Sequence, residues 1–330
     1  MSQKKKVLVV LPVQENHKRL LEAQAPKAEF IYKKNAEITK EEAQEANIII
    51  GNVPPELLYQ SPNLEWIQLN RAGADEYTAE DVLKKGVQLT NATGAFGLAI
   101  SEHMLGMLLE IQKKLYLYRG NQQQGLWNDE GKVTALEGAI VLVVGLGDIG
   151  SEFARKVKAL GSYTIGIRRT DIQRPEFMDE VHLLEQLDEL IPRADIIALS
   201  LPETKETIHL FNRERLNHMK SGAILLNVGR GSAIDTEALC DVLESGHLRG
   251  AGLDVTEPEP LPPDHRLWKI KNAIITPHIS GQYHLQETFE RIVQISAENL
   301  KRYFAGKELI NVVDFTTGYR KRAINKLRKD

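Results

Sequence analysis

Residues 139–161 read AIVLVVGLGDIGSEFARKVKALG, an apolar run that passes directly into Gly145-Leu146-Gly147-Asp148-Ile149-Gly150. The run 139–144 is too short and too β-branched for a helix, so it predicts a buried parallel strand. From Ser151 the spacing of Phe153, Ala154, Val157 and Leu160 is helical, and Gly161 closes the helix. No other stretch constrains the fold as much as this sequence of strand, glycine turn and helix. Gly145 permits the tight turn, Gly147 lets the backbone approach a pyrophosphate, and Gly150 lets helix and strand pack closely. The N–H groups at the helix start face that phosphate. Gly145, Gly147, Asp148, Ile149 and Gly150 are therefore the first candidate dinucleotide-binding residues.

A chain of 330 residues exceeds the usual size of one hydrophobic core, so two domains are expected. The formal net charge of −3, with both signs mixed along the chain, argues against a nucleic-acid surface. Apolar runs fall far short of the ~20 residues that a membrane span requires. Cys240 is the single cysteine, which excludes an internal disulfide, and the lack of a secretory leader predicts a reducing cytoplasm. In TEALCDVLESG, Cys240 reads as a small buried residue on a helix rather than a nucleophile. His265, His278 and His284 lack ligand spacing, and no metal is expected.

The first ninety residues alternate between short apolar runs and helical stretches. Strands are expected at 7–11, 30–32, 47–51, 64–70 and 87–91, with helices at 14–25, after Thr39 and at Pro54-Pro55. Thr39 and Glu42 stand at capping-box spacing. This predicts a small doubly wound domain without a glycine fingerprint of its own. LNRAGAD, residues 69–75, is a turn directly after a strand, where backbone N–H groups can meet an anion. Arg71 either assists such a ligand or faces water. A long helix is expected over 101–119, with Met104, Leu105, Leu108, Ile111, Leu115 and Leu117 forming a broad apolar surface. It suits a connector between domains, a partner subunit, or core packing within one chain.

After the fingerprint helix, 163–167 is the next strand, and it ends in Arg168-Arg169-Thr170. A dinucleotide site that prefers NAD carries an acidic residue here, roughly 20 residues past the glycines, to accept the ribose hydroxyls. Two arginines instead favour a 2′-phosphate, so NADP is the expected cofactor, with NAD possible. Further strands are expected at 195–201, 223–228, 250–255 and 273–276, with helices at 183–191, 213–219 and 235–245. Strand ends in an open parallel sheet converge on the ligand crevice, which makes Pro202, Val228, Gly229, Asp254 and Gly281 cofactor-side candidates.

Arg230 lies between two glycines after ILLNV, placed to project from a tight turn and hold a carboxylate with its forked donors. Glu259 stands in the proline-stiffened EPEPLPP, and His278 follows the last strand in TPHISG. A carboxylate beside a histidine fixes its tautomer and favours its charged form, and such a histidine passes protons near neutral pH. Arg230, Glu259 and His278 are the candidate catalytic residues for hydride transfer coupled to acid–base chemistry.

GLGDIG, NVGRG, GLDVTEPEPLP and TPHISG, in that order, make the chain resemble the D-2-hydroxyacid dehydrogenase family over nearly its whole length. The resemblance implies an α/β protein with two doubly wound Rossmann-like domains and parallel sheets. Residues 1–98 and 288–330 would form the substrate-binding domain and 99–287 the dinucleotide-binding domain, usually in a homodimer formed through the cofactor domains. It further implies that Arg230 binds substrate, that Glu259 pairs with the catalytic His278, and that Asp254 lies near the nicotinamide carboxamide. The amides of Gly73 and Ala74 would hold the carboxylate of a small 2-keto or 2-hydroxy acid.

Two departures from the family pattern shift the expectation toward a reductase of the glyoxylate/hydroxypyruvate kind. Arg168 stands where NAD-using members are acidic, and the chain stops at Asp330 without the regulatory domain of many phosphoglycerate dehydrogenases. A phosphoglycerate dehydrogenase-like activity, a branched 2-keto acid reductase and a dinucleotide-sensing corepressor-like protein are the alternatives. The long stretch 282–304 is expected to be helical and to return the chain to the first domain. The basic tail 319–330 is expected to be a solvated or docking extension.

Overall fold

Triplets such as Ile48–Ile50, buried on both faces, can only be central strands of a sheet covered on each side. The computed structural model describes residues 4–169 and 173–316, so Thr170 and the basic tail lie outside the described residues. Two units emerge. One contains the residues up to Phe96 and those from Tyr283 onward; the other is Gly97–Gln282. The divisions fall a few residues before the expected 98/99 and 287/288.

The first unit holds β1 (Lys6–Val9), β2 (Glu29–Tyr32), β3 (Ile48–Ile50), β4 (Trp66–Gln68) and β5 (Gln88–Thr90). All are parallel, in the order β2-β1-β3-β4-β5, a doubly wound arrangement. The expected capping box is formed: Glu42 N donates to Thr39 Oγ1 at 3.2 Å and Thr39 N to Glu42 Oε2 at 3.1 Å, opening the helix Lys40–Glu45. The helix Gln286–Phe304 belongs to this unit and packs on Glu15–Gln24, where His17 meets Glu290 at 3.0 Å. It begins later than expected because 282–285 form a turn.

A buried polar network ties that C-terminal helix to the sheet. Trp66 Nε1 donates to Thr90 Oγ1 and Thr90 Oγ1 to Gln68 Oε1, each at 2.8 Å. Asn299 Nδ2 donates to the same Gln68 oxygen at 2.8 Å and to Ile310 O at 3.0 Å, while Ile310 N donates to Asn299 Oδ1. Gln68, Thr90 and Asn299 are fully buried, and leaving any one of these groups unpaired costs about 1–3 kcal/mol.

The second unit holds β6 (Ile140–Val144), β7 (Tyr163–Arg168), β8 (Glu180–Leu183), β9 (Ile196–Leu199), β10 (Ile224–Asn227), β11 (Gly250–Leu253) and β12 (Ala273–Ile275). The order β12-β11-β10-β9-β6-β7-β8, again all parallel, reverses between β6 and β9. Ligands bind outside the strand ends at such a reversal. The edge strand β8 was not expected, since EVHL mixes charged and apolar residues at the rim. It is pinned by polar contacts: Arg193, with His182 and Tyr163, draws the Glu180 carboxyl down to about 2. Cys240 is buried on Thr236–Glu244, and burial raises its thiol to about 11, consistent with an inert core residue.

The single helix expected over 101–119 is corrected to two, Gly97–Gln112 and Leu115–Gln123. Lys114 breaks it in the left-handed region, φ 57, a conformation disfavoured by ~1–2 kcal/mol for a non-glycine residue. The compensation comes from side chains. Lys113 Nζ donates to Thr134 O at 2.8 Å and Lys114 Nζ to Glu130 O, so the break anchors the following loop. Neither glycine nor proline marks it in the sequence.

Candidate active site

The fingerprint helix starts at Asp148 rather than Ser151, with Gly147 as its N-cap, so Asp148, Ile149 and Gly150 form its first turn. Helix starts leave such N–H groups for an outside acceptor. Gly145 has φ +103, and a Cβ on Gly150 would lie 2.1 Å from Gly145 O. Ser200 Oγ donates to the same carbonyl at 2.8 Å, joining the turn to the end of β9. At Gly147, by contrast, a Cβ would meet nothing within 4 Å. The turn is closed on its strand side and open at Gly147, a shape that fits a dinucleotide pyrophosphate. Asp148 accepts from Gly97 N at 3.0 Å, so its carboxylate links this turn to the start of the helix Gly97–Gln112.

Arg168 ends β7 and Arg169 follows it, exposed. A hydrogen bond from Thr204 holds the Glu206 carboxyl below its ordinary range, and Lys205 and Arg169 add to the effect, so the loop after β9 shares the field of these cations. Thr207 Oγ1 donates to Pro202 O at 2.8 Å and fixes that loop. Val228 N donates to Leu199 O, Gly229 N to Asn227 Oδ1, and a Cβ on Gly229 would lie 2.4 Å from Leu201 O. The turn after β10 thus rests directly on the turn after β9.

Arg230 projects from this turn. Its carbonyl accepts from Asn227 Nδ2 at 2.8 Å and its Nη1 donates to Gly229 O at 2.9 Å. A Cβ on Gly231 would fall 1.9 Å from Thr256 O, so the arginine turn abuts the segment that leads from Asp254 to Glu259. His278 Nδ1 lies 2.7 Å from Glu259 Oε1, with the two side chains 45% and 43% exposed. A carboxylate accepts, so Nδ1 bears the proton of this bond and Nε2 is left for another partner.

His278 has φ 51, and its N–H donates to Asp254 O at 2.8 Å. The Asp254 carboxylate is only 1% exposed. It accepts from Thr276 Oγ1, Ile279 N, Ser280 N and Ser280 Oγ, so all its lone pairs hold the turn that carries His278. Gly281 follows directly. His103, Thr276, Ser200 and Ser280 escaped the sequence reading. In particular, His103 sits on an apolar helix, where periodicity reads it as packing.

In the other unit, the turn after β4 is held by Asn91 Nδ2 to Ala72 O at 2.7 Å, Ala92 N to Arg71 O at 3.0 Å, and Asn70 N to Asn52 Oδ1 at 3.1 Å. Among the described residues, no backbone hydrogen bond uses the N–H of Gly73 or Ala74. Arg71 pairs with Glu76 at 2.8 Å and lies over the Tyr77 ring.

The D-isomer specific 2-hydroxyacid dehydrogenase NAD-binding domain matches residues 105–280. A glyoxylate reductase of Thermofilum pendens is 33% identical over 268 residues, 79% of this chain and 78% of the relative. A D-isomer specific 2-hydroxyacid dehydrogenase family protein of Aeromonas salmonicida superposes with a TM-score of 0.83 at 35% identity, covering 95% of this chain and 100% of that one. The NADPH-dependent glyoxylate/hydroxypyruvate reductase of Sinorhizobium meliloti, solved with NADP and sulfate, gives 0.81 at 25% identity over 96% and 100%. The chain belongs to the D-isomer specific 2-hydroxyacid dehydrogenase family. It is an NAD(P)-dependent oxidoreductase that acts on CH–OH donors and interconverts 2-hydroxy and 2-keto acids.

Proposed function

We propose that the protein reduces a small 2-keto acid of the glyoxylate or hydroxypyruvate kind to the D-2-hydroxy acid, with NADPH preferred over NADH. The observation that carries the reading is the His278–Glu259 pair at 2.7 Å, on loops at the carboxyl ends of parallel strands. A reduced nicotinamide held there would supply the hydride that the keto carbon takes up. His278 Nε2 protonates the oxygen, and the negative Glu259 stabilises the imidazolium and fixes its tautomer. Arg230 offers its fork to the carboxylate and polarises the carbonyl beside it. Gly73 and Ala74 offer backbone N–H groups to a carboxylate.

Gly145, Gly147, Asp148, Ile149 and Gly150 would hold the pyrophosphate, with Pro202, Val228, Gly229 and Gly281 along the rest of the dinucleotide. The test is loss of absorbance at 340 nm with NADPH or NADH across glyoxylate, hydroxypyruvate, pyruvate, larger branched keto acids and, in reverse, phosphoglycerate. Fastest turnover of the two smallest acids supports the reading. A preference for phosphoglycerate or a branched acid reassigns the substrate, and cofactor binding without turnover of any acid favours a sensing protein.

Arg168 and Arg169 are the groups proposed to meet the 2′-phosphate. Charge-assisted bonds of this kind contribute about 1.5–3 kcal/mol. R168D/R169D is therefore expected to raise KM for NADPH by about 10–100-fold with little change for NADH. An unchanged NADPH/NADH ratio in steady-state assays refutes the assignment.

A cytoplasmic homodimer is also proposed. The reading is supported by Leu115, Leu126, Trp127 and Val133, which are 52%, 47%, 102% and 48% exposed within one stretch of chain after the helix break, side chains of the kind that a partner surface covers. Sedimentation should give near twice the 37.1 kDa of one chain, and W127E should move the mass toward the monomer; a monomeric parent protein excludes the dimer.

A further inference from the structure

His103 lies on the helix Gly97–Gln112, and no step of the proposed reaction uses it. Its Nε2 is 2.9 Å from Thr276 Oγ1 and 3.9 Å from Asp254 Oδ1, and Thr276 Oγ1 is 2.6 Å from the same Asp254 oxygen. The directions in this chain of bonds can be assigned. Asp254 receives four donors, two of them backbone N–H groups, an arrangement that suits a carboxylate without a proton of its own. The single hydroxyl proton of Thr276 therefore points to Asp254. The Thr276 oxygen is left to accept, and His103 Nε2 must donate. The chain runs from His103 Nε2–H to Thr276 Oγ–H to the Asp254 carboxylate.

The purpose of such a chain follows from what Asp254 holds. The imidazole of His278 is half exposed and fixed by one side-chain bond, to Glu259. Its aim therefore depends on its own backbone, which sits at φ 51, a left-handed conformation that persists only when the surroundings enforce it. The enforcing contacts are His278 N to Asp254 O, and Ile279 N and Ser280 N to the Asp254 carboxylate. Thr276 closes the same turn from its other side. Without His103 the Thr276 oxygen loses its donor, and the hydroxyl is free to rotate away from Asp254.

We propose that His103 is a positioning residue for the reaction: through Thr276 and Asp254 it fixes the turn 276–280 and hence the aim of the His278 imidazole. The proposal rests on the reading of His278 as the acid–base group. Three variants test it, H103L, H103Q and H278N, each assayed for kcat, KM for the keto acid, dinucleotide Kd and melting temperature. Leucine removes the donor and glutamine supplies an N–H of similar reach. H103L should lower kcat by about 10–100-fold, the scale of a small misplacement of a reacting group, with dinucleotide Kd unchanged. H103Q should recover most of the rate. If H103L fails to fold, T276V cuts the same chain of bonds and must show the same separation of kcat from Kd. Wild-type turnover in H103L, equal loss in H103L and H103Q, or a parallel fall in dinucleotide affinity overturns the proposal. An active H278N overturns instead the reading on which it rests, whereas an inactive H278N beside a fully active H103L removes the positioning role alone.

Discussion

H278N is expected to lose turnover by about 10²–10⁴-fold, the range by which a positioned proton donor accelerates such a step, and to bind reduced dinucleotide as tightly as the parent. The separation follows from where the residue sits. His278 occupies a turn after β12 and contacts Glu259, Asp254 and Gln282, while the glycine turn at Gly145–Gly150 follows β6 and the arginines end β7. Asparagine retains a polar group of modest size and tolerates the left-handed φ of this position, so the loss reports proton transfer rather than a collapsed turn. E259Q should lie between parent and H278N, because an amide neither matches the charge of the imidazolium nor enforces the Nδ1–H tautomer. Stopped-flow measurement of the first turnover, with fluorescence titration of the dinucleotide, checks both; an H278N enzyme with parental single-turnover rate would falsify the acid–base assignment.

R230K is the second large effect. Lysine keeps the charge but loses the planar fork, so the carboxylate and the adjacent carbonyl oxygen are no longer held in one plane. The expected loss in kcat/KM is about 10–100-fold, one charged hydrogen bond of about 1.5–3 kcal/mol, with a larger loss in R230A. The turn itself should survive. Asn227 to the Arg230 carbonyl and the close approach of Gly229 and Gly231 to neighbouring backbone hold it without the guanidinium, which adds only the bond from Nη1 to Gly229 O. Equal kcat/KM for parent and R230K across the 2-keto acid panel, with unchanged melting temperature, contradicts the role.

The parts of this fold that could be read in the sequence are those encoded locally. GLGDIG announces itself because a tight turn, a close backbone approach and a helix start each need their residue at a fixed position, and the capping box of Thr39 and Glu42 is similarly local. Arg230, Glu259 and His278 were visible as polar residues at strand ends, and the ordered motifs then supplied their expected roles. What was hidden depends on contacts distant in sequence. β8 is held by Arg193 and Asp179 rather than by apolar periodicity. The break at Lys114 is stabilised by carbonyls at 130 and 134. His103 reaches a threonine 173 residues away. The second role of Asp254, holding the turn that follows β12 through Ile279 N and Ser280 N, rests on contacts that no local pattern marks. The helix start at Asp148 was misplaced by three residues because glycine at Gly150 argues against helix on propensity, although packing against Gly145 demands it.

The polar network around Gln68 also bears on how the chain is made. Gly97–Gln282 is one uninterrupted stretch and can close its core while synthesis continues, but the sheet of the other unit receives Asn299 only near the end. At ~5–20 residues per second, translation leaves roughly 10–40 s between the emergence of β5 and that of its last partner. During that interval the nascent β1–β5 segment lacks its last partner, and transiently exposed apolar surface and strand edges of this kind favour aggregation.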